Sequence, residues 1–195
     1  MEDKLGPKFV GHVLIRDKNT REVLVDRFNA INLEAMSVAL AQSLADRSTG
    51  QIHEMDFGNG ASTVSGTGAV TYFPPNVTGL TAALYNQTYR KVVDDMSPLN
   101  VNTADNYINV QHSAGTTFSD IVITCTLEAN EPSGQLAFDN TTNTEGTYVF
   151  DELGIRSFAA IEGTGMLLTH VIFHPVQKSL NRVIEIVYTI RIFMS

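Results

Sequence analysis

The chain has 195 residues, 43% of them hydrophobic and 17% charged, with a mean hydropathy of -0.01; that is ample apolar material for one packed core and excludes a disordered chain. A net charge of -8 and a pI near 5.0 exclude a protein built to neutralise phosphates, which needs clustered Lys and Arg, and the longest basic cluster is Arg90-Lys91. Cys125 stands alone, which excludes an intrachain disulfide.

The opening MEDKLGPKF lacks the apolar stretch of a signal peptide, and no run approaches the roughly 20 residues that span a bilayer. Synthesis in a reducing cytoplasm is expected, with no membrane partner and no nucleic-acid partner. Phe9–Arg16 and Glu22–Phe28 are β-rich runs flanking Asp17-Lys18-Asn19-Thr20, which predicts a hairpin with a four-residue turn. From Asn32, an N-cap residue type, Leu33, Met36, Leu40 and Leu44 recur at spacings of three and four, Glu34 sits in the first turn and Gly50 lies beyond the end. This predicts one α-helix over about 32–46. Its alanines, Ala35, Ala39, Ala41 and Ala45, allow close packing on the sheet of the same chain.

A strand is expected over Gln51–Phe57, followed by GNGASTVSGTG, which reads as a mobile loop. A phosphate-binding loop there would need a Lys after the last Gly and a following helix; Ala69–Phe73 is strand-like and the Lys is missing. Residues 58–115 read as an irregular, loop-rich insertion, with a short candidate helix around Leu80–Tyr85 and a strand at Tyr89–Val93. Asp120–Glu128 reads as a strand whose length suits a free edge able to pair with another chain, and the alternation Ile121, Ile123, Cys125, Leu127 makes Cys125 a small core residue. Gln135–Phe138 is a further strand after a turn at Glu131–Gly134, and Asp139–Gly146 is a polar loop.

The last quarter is three strand-like runs. In the final one, Ile184, Ile186, Tyr188, Ile190 and Ile192 share a face opposite Glu185, Thr189 and Arg191, the alternation of a half-buried strand. Strands dominate and no βαβ alternation occurs, so the expected fold is mainly β, an antiparallel β-sandwich or jelly-roll-like domain over residues 1–195 with one packed α-helix and long irregular loops.

Candidate chemistry is sparse. His170 and His174 would share a strand face about 13 Å apart at about 3.3 Å per residue, too far to hold one metal, and the HExxH glutamate is absent, so both read as surface or interface histidines. Asp94-Asp95 and Asp151-Glu152 are the only adjacent carboxylate pairs, and nothing in the sequence brings them together for acid–base work. Ser65 lacks the flanking pattern of a nucleophile elbow. Asn76, Asn86 and Asn140 open Asn-X-Thr triplets, which without secretion are loop composition. No catalytic residue, metal ligand or cofactor is therefore expected. Phe73, Tyr85, Tyr89 and Phe138 are the candidates for contact with a protein partner, with core burial the alternative for each.

The order of elements resembles a family of small virion proteins of tailed bacteriophages. The resemblance lies in Asn29-Ala30-Ile31-Asn32 opening an Ala-rich helix and in Ile52-His53-Glu54-Met55-Asp56-Phe57-Gly58-Asn59-Gly60. It continues in Phe150-Asp151-Glu152-Leu153-Gly154-Ile155, the Leu167–Phe173 strand, Lys178 and the Ile184–Ile192 strand. It covers most of the chain apart from the middle segment. It implies a non-enzymatic structural protein of the virion, made in the host bacterial cytoplasm and present in several copies as a homo-oligomer, ring or trimer that binds other virion proteins. Two placements are open: neck, collar or tail baseplate, and capsid decoration on the head exterior. From another class, a host-surface or glycan-binding β-sandwich module is the rival, weakened by the absence of Trp, which such sites commonly stack on sugars.

Overall fold

Alternation builds the first two strands. In β1 (Pro7–Asp17) Gly11, Val13, Ile15 and Asp17 are buried and the residues between them are not. The chain returns antiparallel as β2 (Val23–Ile31), with partners from Gly11 with Asn29 to Arg16 with Val23. Asp17 fixes the connection: its Oδ1 accepts the Asn19 and Thr20 amides, both at 2.9 Å, and its Oδ2 accepts Arg182 Nε at 2.8 Å from the loop before the last strand. The computed structural model describes residues 6–132, 147–179 and 181–194.

Helix α1 (Leu33–Leu44) starts where Asn32 caps it, the side chain accepting the Ala35 amide at 3.2 Å and donating to Gly79 O at 2.8 Å. Its buried face carries two of the alanines expected to pack on the sheet. Ala35, Met36 and Ala39 are buried, while Leu33 and Leu44 are exposed. The alanines win because the helix lies close against the chain that follows: a Cβ on Gly50 would sit 2.4 Å from Ala39 O.

The remaining strands are β3 (Ile52–Gly58), β4 (Ser62–Val64), β5 (Val70–Tyr72), β6 (Gln87–Val92), β7 (Tyr107–His112), β8 (Phe118–Leu127), β9 (Thr147–Ser157), β10 (Leu167–Ser179) and β11 (Ile184–Met194). Among the described residues nine strands form one antiparallel sheet in the order β6-β3-β9-β10-β2-β1-β11-β8-β7, with β4-β5 a separate hairpin. The fold is mainly β, one large curled sheet with a β-sandwich-like arrangement and a single α-helix among those residues. The sheet turns at β2, which pairs with β1 along most of its length but with β10 only through Ala30 and Ile31.

Side chains from both halves meet in one core, with Val13, Ile123, Cys125, Ile186 and Tyr188 from one and Met55, Phe57, Phe150, Leu153 and Phe173 from the other. Each fully buried side chain of this kind contributes roughly 1.5–3 kcal/mol. Tyr188 crosses between the halves, its hydroxyl donating to Thr169 Oγ1 at 2.8 Å and accepting from Asn29 Nδ2. Lys91 of β6 reaches Thr126 O of β8 at 2.6 Å. The final alternation holds for Ile184, Ile186, Tyr188 and Ile190, all buried, and Cys125 is a core residue whose thiol burial pushes up to about 12.

The middle of the chain differs from its sequence reading. Residues 58–115 supply both edge strands of the sheet: β6, at the expected Tyr89–Val93 strand, and β7, which was not expected. The Gly/Ser/Thr stretch is the β4–β5 hairpin, and the segment expected as a helix at Leu80–Tyr85 is a turn in which the Ala82 amide reaches Gly79 O at 3.4 Å. Ala82 and Leu84 pack there on Leu167. Asp120–Glu128 is not an edge: β8 lies between β11 and β7, with Thr124 opposite Val187 on one side and Tyr107 on the other. The strand at Gln135–Phe138 and the loop at Asp139–Gly146 lie outside the described residues.

Asp17 is held at about 2, below its ordinary 3.8, chiefly by the Thr20 amide and then by Arg182. A carboxylate with a depressed folded value adds stability that is complete above its unfolded value and is lost as pH falls through the folded one. Asp17→Ala is expected to lower stability at pH 7 by about 1–3 kcal/mol. The difference between variant and parent in urea unfolding should shrink as pH falls from about 4 to about 2.

Candidate functional site

The half of the sheet containing β9 carries charge on the face where a sandwich sheet ordinarily meets solvent. On β3, Met55 and Phe57 face the core and Glu54 and Asp56 alternate with them. Across the ladders Arg156 stands opposite Glu54, Gly154 opposite Asp56, Glu152 opposite Gly58, and His170 of β10 opposite Gly154. Residues directly opposite share a face. Glu54, Asp56, Arg156, Glu152 and His170 therefore form one polar layer, and all five are buried.

Glu152 is the centre of that layer. Its Oε1 accepts the Asn86 amide at 2.9 Å and the Gly60 amide at 3.1 Å; its Oε2 accepts the Tyr85 amide at 2.9 Å and His170 Nε2 at 3.0 Å. His170 Nδ1 in turn accepts the Asn76 amide at 2.9 Å, which assigns the ring proton to Nε2. Burial alone would raise the Glu152 carboxyl, but the bonds from His170, Asn86 and Tyr85 outweigh it and leave it lowered. Gly58 and Gly60 make this approach feasible. A Cβ at Gly58 would stand 2.4 Å from Glu152 Oε1, and one at Gly60 would stand 2.7 Å from the Asn86 amide nitrogen.

Asp151 does the neighbouring work, accepting the Ala61 amide at 3.2 Å and the Ser62 hydroxyl, and so pins the start of the β4–β5 hairpin. Both carboxylates serve the covering loops because alternation breaks in β9. Phe150 and Leu153 both lie in the core although three residues apart, and β10 shifts register opposite them, between Ile172 and Val176. The same shift separates the two histidines expected on one face. His170 is buried, contrary to its surface reading, whereas His174, followed by Pro175, is exposed with Nδ1 3.0 Å from the Tyr72 hydroxyl.

The other end of the layer holds the 158–166 segment. Arg156 pairs with Asp56 and donates from Nη1 to Gly165 O at 2.8 Å, and Glu54 Oε1 accepts the Gly163 amide at 2.7 Å. Glu54 Oε2 and Asp56 Oδ1 have no hydrogen-bond partner among the described residues. Burial raises Glu54, and it pushes Asp56 up to about 7 against the pull of Arg156.

Chemically, this layer is bonded inward. The pocket touching His170 measures about 140 Å³, below the roughly 300–1,000 Å³ of ordinary ligand sites. Among the described residues no group of three or more His, Cys, Asp or Glu side chains converges as a ligand set for a metal. The residues expected at a partner contact are dispersed. Phe73 and Tyr85 are exposed and pack with ring centroids 5.1 Å apart, the Tyr85 hydroxyl donating to Pro74 O at 2.7 Å. Tyr89, by contrast with the expected contact role, is buried opposite Phe57 on the core face of β6. Phe138 lies outside the described residues.

Sequence reasoning missed a second feature. A groove of about 690 Å³ opens between α1 and the β1–β11–β8–β7 face, lined by Leu40, Ile108, Val110 and Ile121 among others, with Asp94 and Asp95 its charged residues. The strand that borders it, β7, carries the alternation Ile108, Val110, but sits within a segment rich in Asn. No protein-family model, curated protein or solved structure matches this chain.

Glu152→Gln sets an amide NH₂ among backbone N–H donors and removes the buried charge, so it should cost about 3 kcal/mol or more. Hydrogen exchange should accelerate first at the Gly60, Tyr85 and Asn86 amides. Asp56 acts in the opposite sense with pH. Its raised folded value means that its contribution is complete below the ordinary 3.8 and is lost as pH rises through about 7. Urea midpoints of the parent should therefore fall between pH 5 and pH 8 more steeply than those of Asp56→Asn.

Proposed function

We propose that this chain is a non-enzymatic structural component of the virion of a tailed bacteriophage, present in several copies and binding other virion proteins at the neck, collar or baseplate. The observation that carries the assembly role is the division of labour between polar and apolar groups. Glu152, Asp151, His170, Asp56 and Arg156 are buried and bonded within the chain, while Met96 and Val110, 86% and 68% exposed, line the apolar groove beside the β7 edge. Exposed apolar groups gathered at one place are the usual mark of a protein contact.

The phage context rests on the resemblance of the Ile52–Gly60 and Phe150–Ile155 segments to small virion proteins. The geometry gives those segments a shared reason: Gly58 lies against Glu152, and the Gly60 amide donates to it. Head decoration is the second placement. The exposed Phe73–Tyr85 pair, tilted at 45° to one another, supports a glycan-binding alternative, since exposed aromatic rings are what sugars pack against.

Particles of the phage encoding this chain, purified and analysed by quantitative mass spectrometry and immunogold electron microscopy, test the reading. Several copies per particle with gold at the neck or baseplate are expected. Gold scattered over the head would transfer the chain to the decoration role. A chain absent from particles that binds a glycan array through Phe73 and Tyr85 would overturn the structural role.

A further inference from the structure

The two edges of the sheet are not alike. β6 is covered, with Thr88 and Tyr89 buried, no residue of the strand exposed, and Lys91 turned inward to Thr126 O. The other edge, β7, reads Tyr107-Ile108-Asn109-Val110-Gln111-His112, without Lys, Arg or Pro and largely exposed. It pairs with β8 from Tyr107 opposite Thr124 to His112 opposite Ser119, and it has no strand on its other side among the described residues.

Which backbone groups face outward follows from one bond. The Ile108 amide donates to Asp95 Oδ1 at 3.1 Å rather than to β8. In an antiparallel ladder residues alternate between facing the partner strand and facing away. The N–H and C=O groups of Ile108, Val110 and His112 therefore point out of the sheet. Ile108 and Val110 also line the 690 Å³ groove with their side chains. A strand added beside β7 would place alternate side chains over that groove.

Charge selects the occupant. The groove is lined by Asp94 and Asp95 and by no Lys or Arg. Asp94 uses Oδ1 for the Met96 amide at 2.9 Å, and its Oδ2 lies 3.5 Å from His53 Nδ1. Asp95 engages one oxygen with Ile108. A second copy of a chain with net charge -8 meets this rim with repulsion.

We propose that β7 and the adjoining groove form a docking site for an extended segment of a different protein, one that adds to the β7 edge, alternates apolar residues into the groove and sets a Lys or Arg against Asp94 and Asp95. The identity of this partner as a virion protein rests on the function proposed above; the binding chemistry does not.

The probes are fluorescein-labelled ten-residue peptides of alternating Val and Thr, ending in Lys, Ser or Glu at both termini, titrated with the isolated chain by fluorescence anisotropy. The Lys peptide should bind at least tenfold tighter than the Glu peptide, with the Ser peptide between them. Val110→Pro removes an outward N–H without touching the β8 ladder, and it should abolish binding while circular dichroism and the urea midpoint stay close to the parent. Asp95→Asn keeps an acceptor for Ile108 and should weaken the preference for Lys severalfold, which makes the test independent of how well the proline variant folds.

Peptides that fail to bind, bind regardless of charge, or bind Val110→Pro as well as the parent would overturn the inference. So would a dimer seen by analytical ultracentrifugation and lost in Val110→Pro, since that assigns the edge to a second copy. Presence in virions without peptide binding would remove the docking site and leave the virion role; binding without presence in virions would do the reverse.

Discussion

A buried carboxylate is tolerable only when its lone pairs are occupied, and the fold is arranged around meeting that condition at Glu152. Two backbone amides converge on one oxygen, and an amide and the His170 ring converge on the other. Three of those four donors come from residues far away in the chain, in the loops on either side of the β4–β5 hairpin. The glycines before the hairpin, the break of alternation in β9 and the bulge in β10 are then consequences of one need, to bring backbone N–H groups and a histidine onto a single carboxyl. Asp151 and the Asp56–Arg156 pair extend the same device to the hairpin and to the 158–166 segment.

This explains which parts of the chain could be read from sequence. The N-terminal hairpin, the Asn32 cap and the Ile184–Ile190 alternation are set by neighbours within a few residues, so pattern reveals them. Much of the middle segment is organised by side chains about 60 to 90 residues distant; the hairpin at Ser62–Tyr72 reads as a free loop in sequence because Asp151, which anchors its start, lies far along the chain. Asp151-Glu152 looked like an ordinary acidic pair because regular alternation would have sent one of them into the core and the other to solvent. The helix and the packing of its alanines are legible because both are local, whereas the close approach of Gly50 to Ala39 is not. The place of Asp120–Glu128 inside the sheet is not legible locally, because lateral order is a non-local property and its outer neighbour β7 comes from the Asn-rich segment.

The arrangement also separates rigidity from contact. Buried polar groups fix the loops over one half of the sheet, while the other half ends in an exposed edge strand without Lys, Arg or Pro, beside an apolar groove with Asp94 and Asp95 at its rim. A protein that must hold its shape and join others is served by that separation. The exposed Phe73–Tyr85 pair, bordering the same loops that Glu152 fixes, is a rigid feature for the same reason.

The most direct measurement is the ionisation of Glu152 itself, followed by carbon-detected NMR of its side-chain carboxyl between pH 3 and pH 8. The account predicts a carboxylate that stays ionised throughout the range above its ordinary 4.5 and protonates only below it, because its bonds to His170, Asn86 and Tyr85 outweigh burial. A carboxyl that instead titrates above 4.5 would mark a group poised to exchange protons, and would contradict a Glu152 whose role is to hold the fold.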